Sequence, residues 1–184
     1  MPNPWDRPPI PHRGDEHENI VFANVGCVMT RWEAVEFELS RLHTWFGGKL
    51  DDQALMAEYG KGPIFRERAK NLERRAEKHF IAHPNQRREG EFRNLLSDCR
   101  NYAERRNDIA HGMVFRIDRI TWFREQLKPK LLKREHYALV PPLYAIRYAT
   151  QKGYPAFAYT SKEMIRIGQR LVKLRHSIAE FREG

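Results

Sequence analysis

The sequence predicts a mainly α-helical protein, a four-helix up-and-down bundle with a small β insertion before the last helix. Two observations lead to this prediction. Apolar residues recur every three to four positions in four separate segments, which is the spacing of a buried helix face. Between the third and fourth segments the pattern changes to short aromatic and β-branched pieces separated by turn residues, which is typical of strands.

The composition is that of a globular protein with a basic surface. Of the 184 residues, 41% are hydrophobic and 31% are charged, which is enough apolar material for a core. The formal net charge of +9 favours an anionic partner such as nucleic acid. The charge alone fits an ordinary solvated surface equally well, so the prediction of an RNA partner depends on motifs.

Residues 1–14 are predicted to form a flexible arm, because five prolines fall between Met1 and Pro11. This segment lacks the basic and then apolar layout of a signal peptide. No apolar run approaches the roughly 18 residues of a membrane span. We therefore expect a cytoplasmic protein without a membrane-spanning segment. Cys27 and Cys99 lie far apart within helical patterns, which predicts two buried free thiols.

The first helix is predicted from about Asp15 to Phe46, where Gly47 and Gly48 follow it. Its apolar positions alternate in steps of four and three. They are Val21, Val25, Val28, Trp32, Val35, Leu39, Leu42 and Phe46. A flanking stripe of Phe22, Met29, Glu36 and His43 changes from apolar to ionisable halfway along.

The second and third helices follow with the same periodicity. Pro63 suits the first turn of the second helix, and His83-Pro84 ends it. The third helix is predicted from about Gln86 to Ala110, with Gly112 as its C-terminal stop. Its buried stripe is predicted to contain Phe92, Leu95, Leu96, Cys99, Tyr102, Arg106 and Ile109.

Residues 113–160 are predicted to form the insertion, a β-hairpin or three-stranded meander. The candidate strands are Val114–Ile117, Leu143–Tyr148 and Ala156–Tyr159, and Trp122–Leu132 is predicted to be an irregular or short helical link. Thr160 and Glu163 then have the spacing of a capping box at the start of the last helix.

Four amphipathic segments need one another for burial, so residues 15–184 are predicted to form a single domain. The residues expected in its core are Trp32, Leu39, Leu72, Leu96, Tyr102 and Leu171.

Residues 105–112 have the sequence RRNDIAHG, the most informative in the chain. Arg106 falls on the stripe that should be apolar, where an arginine is costly to place. Asn107 follows it, and His111 lies at the helix end. Spacing alone is weak evidence, because similar pairs occur elsewhere. Those pairs are Arg7 with His12, Arg74 with His79, and Arg170 with His176.

This Arg-Asn pair followed by a histidine resembles the catalytic motif of the HEPN superfamily of small all-helical ribonucleases. The resemblance is close over residues 105–112 and loose over most of the chain. It implies an up-and-down helical domain, usually dimeric, in which the motif helices of two subunits meet. The chain resembles prokaryotic members of defence and toxin systems, which adds an antitoxin as a candidate partner. The β insertion is not part of the family's minimal domain.

The expected chemistry is endoribonuclease cleavage without a metal, leaving a 2′,3′-cyclic phosphate. RNA supplies the 2′-OH nucleophile, so scission needs a base, an acid and positive charge on the transition state. His111 can transfer protons, Arg106 can hold the phosphate oxygens, and Asn107 can orient the ring or the phosphate. No residues have metal-ligand spacing, so neither a metal nor a cofactor is expected. Glu36 and Asp108 are supporting candidates.

Arg106 and Asn107 point about 100° apart on an ideal helix, so one helix does not easily aim Arg106 and His111 at one phosphate. We therefore expect a homodimer whose two motifs share a cleft. Two alternatives remain. One is a non-catalytic RNA- or nucleotide-binding module of the same fold. The other is a helical dimerisation adaptor, in which Arg106 pairs with a buried Glu36. A separate alternative for Glu36 is a surface residue paired with another arginine.

Overall fold

The computed structural model describes residues 3–121, 125, 134–142, 144 and 155–184. Within these ranges the protein is mainly helical and has a small antiparallel sheet of two strands, as predicted. The helices are α1 (Glu18–Phe46), α2 (Gln53–Gly60), α3 (Phe65–Ala82), α4 (Gln86–Ala110) and α5 (Ser161–Glu183). The strands are β1 (Met113–Arg116) and β2 (Tyr137–Val140). No helix in the described ranges has both the length and the apolar character needed to cross a bilayer.

The chain forms two compact units, whose boundaries fall within α1, α4 and α5. Unit 1 contains Met1–Thr30 and Glu104–Gln169, and unit 2 contains Arg31–Ala103 and Arg170–Gly184. The motif residues from Arg106 to His111 belong to unit 1. Glu36 belongs to unit 2.

Unit 2 has the core that the apolar periodicity predicts. The six residues expected in the core are all buried, namely Trp32, Leu39, Leu72, Leu96, Tyr102 and Leu171. Aromatic rings fill the space between the helices: Trp32 meets Phe65 edge to face at 5.1 Å, and Phe46 meets Phe92 at the same distance. Such contacts add to the stabilisation that comes from burial alone.

Unit 2 also contains a short helix that the sequence analysis missed. We expected a polar connection before Pro63, but α2 lies there. The Asp52 carboxylate accepts a hydrogen bond of 3.0 Å from the Leu55 amide and caps the helix. Tyr59 is the buried residue of this helix. Its length of two turns is too short for apolar periodicity to reveal it.

Unit 1 is organised around the two-stranded sheet. The buried apolar cluster of this unit contains residues of β2 and of the neighbouring segments, namely Ile117, Ala138, Val140 and Ala158. The strand predicted at Val114–Ile117 is confirmed within one residue, but its partner is Tyr137–Val140, which was not predicted. Ala156–Tyr159 contributes an isolated bridge from Tyr159 to Leu139 rather than a strand. Most of the predicted strand Leu143–Tyr148 and nearly all of the link Trp122–Leu132 lie outside the described residues.

The Pro-rich start of the chain, which we predicted to be a flexible arm, belongs to unit 1 and makes several contacts within it. Ile10 contacts the hydrophobic cluster, and the Arg7 side chain binds Asp108. Gly14 approaches β2 so closely that a Cβ would lie 2.6 Å from the Tyr137 carbonyl oxygen. Prolines restrict the backbone in the unfolded chain, which lowers the entropy lost when such a segment becomes ordered.

The start of α5 has the predicted capping contact and a further one. The Thr160 amide donates to the Glu163 carboxylate at 3.0 Å, as in a capping box. The Asp15 carboxylate accepts from the Ser161 amide at 2.8 Å, so the segment before α1 helps to cap α5. Of the two thiols predicted to be buried, Cys99 is buried, whereas Cys27 is exposed and that prediction is wrong.

Candidate functional site

The predicted motif lies at the C-terminal end of α4, which ends at Ala110. The His111 amide donates to the Asn107 carbonyl at 3.1 Å and closes the last turn. Asn107 and His111 are exposed, and Arg106 is half-buried. The two polar side chains are one helical turn apart and can reach the same ligand. We call residues 106–111 the α4 terminus.

Gly112 follows the α4 terminus for a packing reason. A glycine that ends a helix commonly takes a left-handed backbone, but Gly112 has no such conformation. A Cβ on this residue would lie 2.6 Å from Cγ of Leu139 in β2. Gly112 therefore lets the chain leave α4 close to the sheet of unit 1 without displacing the Leu139 side chain.

Asp108 is the buried centre of this region, with a side chain only 2% exposed. Arg7 donates from Nε and Nη2 to its two carboxylate oxygens, each at 2.9 Å. The Tyr159 hydroxyl donates to Oδ2 at 3.1 Å, and Nη1 of Arg105 lies 3.2 Å from the same oxygen. A buried carboxylate is tolerated when it is paired and hydrogen-bonded in this way. These contacts fix the last turn of α4 to the rest of unit 1.

Arg105 takes the buried position that the sequence analysis gave to Arg106. Arg105 is 5% exposed, whereas Arg106 is half-buried. In the part of α4 that belongs to unit 1, the buried face includes Arg105, Asp108 and Ile109. The ion pair with Asp108 compensates the Arg105 charge, so a buried arginine here has a structural reason.

Three residues of the Asp108 network were not identified from the sequence. The spacing of three between Arg105 and Asp108 was a usable signal, because such pairs share a helix face. Arg7 and Tyr159 are remote in sequence and gave no local signal. The Arg7 guanidinium also lies over the Phe157 ring, 4.7 Å from its centroid, which is a cation–π contact. Burial and the neighbouring Asp108 carboxylate raise the pKa of Tyr159, which keeps its hydroxyl a donor.

Glu36, the second supporting candidate, is the centre of a separate buried network in unit 2. Nη2 and Nε of Arg68 donate to its two carboxylate oxygens at 2.6 and 3.1 Å. The Tyr59 hydroxyl donates at 2.7 Å and the Trp32 indole at 3.2 Å. Glu36 is thus paired with a neighbouring arginine, as one alternative proposed, but it is buried rather than at the surface. Its carboxylate is accounted for within unit 2.

No group of three or more His, Cys, Asp or Glu side chains that could hold a metal ion occurs in the described part of the chain. Comparisons of the sequence with protein-family models and curated proteins, and of the fold with solved structures, found no match. The residues of the α4 terminus are therefore the evidence for the function of this protein.

Proposed function

We propose that the protein is a metal-independent endoribonuclease, in which the 2′-OH of RNA attacks the adjacent phosphate at the α4 terminus. The observation that carries this proposal is the exposure of Asn107 and His111 beside Arg106, at a helix end anchored by the buried Asp108. An exposed imidazole next to a permanent cation is what this reaction needs.

Each motif residue has a distinct role in the proposed reaction. His111 takes the proton of the 2′-OH or gives one to the departing 5′ oxygen, since an imidazole can serve as a general base or a general acid. The Arg106 guanidinium stabilises the negative charge that develops on the phosphate oxygens. Asn107 orients the ring or the phosphate. The products are a 2′,3′-cyclic phosphate and a 5′-OH.

Asp108 is a positioning residue in this proposal and does not touch the substrate. Its hydrogen bonds to Arg7 and Tyr159 hold the turn that carries Asn107 and His111. A fixed turn supports catalysis because reacting groups must be held in a narrow range of geometries.

The proposal also includes the assembly suggested by the HEPN resemblance. In it, α1, α3, α4 and α5 are the four helices of an up-and-down bundle, residues 15–184 are one HEPN-like domain, and α2 is an addition. Two copies form the active species, and their motifs face one cleft. A cytoplasmic toxin or defence role, with an antitoxin as a possible partner, belongs to the same proposal.

An RNA cleavage assay in EDTA tests the reaction. Wild-type protein should produce a 2′,3′-cyclic phosphate, and His111→Ala should lower the rate by roughly 10²–10⁴, the usual contribution of general acid–base catalysis. His176→Ala is the matched control, because His176 is also exposed but belongs to α5. Equal cleavage by wild type and His111→Ala would remove the enzyme proposal.

A second candidate function is binding of RNA or a nucleotide without cleavage. It is favoured by Lys61, Arg74 and Lys78, three exposed cations of unit 2 that make no ion pair with any described residue. RNA binding that is the same in wild type and His111→Ala, with cleavage by neither, would favour this function.

A further inference from the structure

Unit 2 contains an open, strongly basic cleft with a volume of about 420 Å³. Four cations line it, namely Lys61, Arg74, Arg75 and Lys78, together with one carboxylate, Glu58. With His43 neutral, four cations and one carboxylate give the cleft a net charge of +3. The cleft belongs wholly to unit 2, whereas the α4 terminus belongs to unit 1.

Helix α3 supplies most of this lining from one face. Asn71, Arg74, Arg75 and Lys78 lie at positions i, i+3, i+4 and i+7 of α3. Residues at this spacing are neighbours on a helix surface, and like charges four residues apart destabilise a helix by a few tenths of a kcal/mol. Arg74 and Lys78 are such a pair. An anion bound beside them would offset this repulsion.

One of the four cations is held in place and the other three are available. Nη2 of Arg75 donates to Glu58 at 2.7 Å. Gly47 leaves room for this guanidinium, because a Cβ there would lie 2.9 Å from Nη1 of Arg75. Over the residues that the structure describes, Lys61, Arg74 and Lys78 have no carboxylate partner. The Asn71 amide oxygen accepts from Arg74, which leaves the amide NH₂ as another donor.

His43 is the buried titratable residue that borders the cleft. It lines the cleft and is 1% exposed, and its Nδ1 has no hydrogen-bond partner among the described residues. Burial and the Arg75 charge lower the pKa of His43, so the ring is neutral near pH 7. The ring therefore adds no charge to the cleft, and it lies close enough to Arg75 to respond when an anion binds that guanidinium.

We propose that this cleft binds the diphosphate group of a small molecule, either free pyrophosphate or a diphosphate ester. A terminal phosphate carries about 1.5 to 2 negative charges near pH 7, and a second phosphate adds about one more. This total matches the cleft better than a phosphodiester does. An adjoining cavity of about 300 Å³ shares Lys61, Asn71 and Arg74 and adds Lys70 and the carboxylate Glu67, which leaves it a net charge of +2. The basic surface therefore continues for a ligand longer than a single phosphate.

Calorimetric titration of the full chain with pyrophosphate, ADP, AMP and inorganic phosphate in 150 mM KCl tests the proposal. Pyrophosphate should bind, and AMP and inorganic phosphate should bind roughly 10-fold more weakly because they satisfy fewer charged donors. ADP binding as tightly as pyrophosphate would assign a diphosphate ester as a ligand, and its failure to bind would restrict the site to free pyrophosphate.

Arg74→Ala and Lys78→Ala should each weaken pyrophosphate binding by about 10-fold, the size expected for a charged hydrogen bond. Arg66→Ala is the matched control, because it removes the same charge from an exposed position of α3 outside the cleft. Equal losses in all three variants would show a general charge effect and overturn the proposal. The absence of pyrophosphate binding by wild type, or RNA binding alone, would overturn it as well.

The buried histidine can be followed without replacing it. The ring ¹⁵N resonances of His43 should shift on addition of pyrophosphate and stay unchanged with the same concentration of KCl. Unchanged His43 resonances at saturating pyrophosphate would contradict a ligand at the base of the cleft. The RNA cleavage assay depends on His111 and this titration does not, so the two proposals can fail separately.

Discussion

Asp108 shows how a single buried carboxylate can organise a candidate site. Its partners come from residue 7 at the start of the chain, residue 159 before α5, and residue 105 one turn earlier in α4. Ion pairs are strongest in a site with little water, but only when every charge there is compensated. The same carboxylate therefore links the order of the N-terminal segment to the position of the α4 terminus.

Replacement of this carboxylate should be severely destabilising. Asp108→Asn leaves the buried Arg105 without its charge partner, and breaking a buried pair in this way typically costs about 3–5 kcal/mol. Chemical denaturation should show this loss in the free energy of unfolding. Glu104→Gln is the control, because Glu104 is an exposed partner of the same arginine and its loss should cost less than about 1 kcal/mol. Similar small effects of both variants would contradict the role of Asp108.

The positions of Arg105 and Arg106 mark where sequence reasoning about the site reached its limit. Helical periodicity correctly placed the motif at the end of α4, where Asn107 and His111 are exposed. It chose the wrong arginine as the buried one. The buried face of a helix is set by what packs on it, and near the end of α4 the partners are Arg7 and Tyr159, which no local pattern connects to Asp108.

At the scale of elements, the close contact between the end of α4 and strand β2 depends on one glycine. Gly112 lies against the Leu139 side chain in unit 1. Gly90, in the first turns of α4, has nothing within 4 Å of the position that a Cβ would occupy. A glycine-to-alanine substitution at each position therefore distinguishes the cost of crowding Leu139 from the gain in helix propensity.

Gly112→Ala should destabilise the protein by about 1–3 kcal/mol, the usual cost of forcing an extra methyl group into a packed region. Gly90→Ala should instead stabilise it by about 0.4–1 kcal/mol, because alanine restricts the unfolded chain and favours the helix. Urea unfolding of both variants measures the difference. If both substitutions change the free energy of unfolding in the same direction, Leu139 can move aside at little cost.

The elements that sequence alone predicted are those with a long repeating pattern. The boundaries of α4 matched at both ends, and the first helix differed by about three residues at its start. Helix α2 has too few residues to repeat a pattern, and strand β2 is a short apolar run before two prolines. Twenty residues separate β1 from β2 in the chain, so only tertiary contacts determine their pairing.

At the scale of the whole molecule, the basic residues that give the net charge of +9 fall into two groups with different roles. Many arginines serve the fold, as Arg68 does with Glu36 and Arg182 does with Glu38. Other cations, such as Arg74 and Lys78, have no carboxylate partner among the described residues. The net charge does not show which cations belong to each group. The ion pairs of the folded chain do. Only the second group is available to an anionic ligand.

The proposed two-copy active species predicts complementation between inactive variants. If Arg106 of one copy and His111 of the other serve the same cleft, a mixture of Arg106→Ala and His111→Ala proteins forms heterodimers with one intact site. For equal amounts and free exchange, a shared two-fold interface gives roughly a quarter of wild-type RNA cleavage. Each variant alone should be inactive, and light scattering should show a dimer at micromolar concentration.

The control for complementation is a mixture of His111→Ala with a double variant that lacks both Arg106 and His111. Its heterodimers contain no His111 at all, so it should remain inactive. Recovery in this control would indicate contaminating nuclease rather than a shared site. If both single variants are folded dimers that exchange subunits and their mixture still fails to cleave, Arg106 and His111 must act within one subunit. Arg106 would then have to reach the phosphate across its 100° offset from Asn107 on α4, and the shared cleft would be excluded.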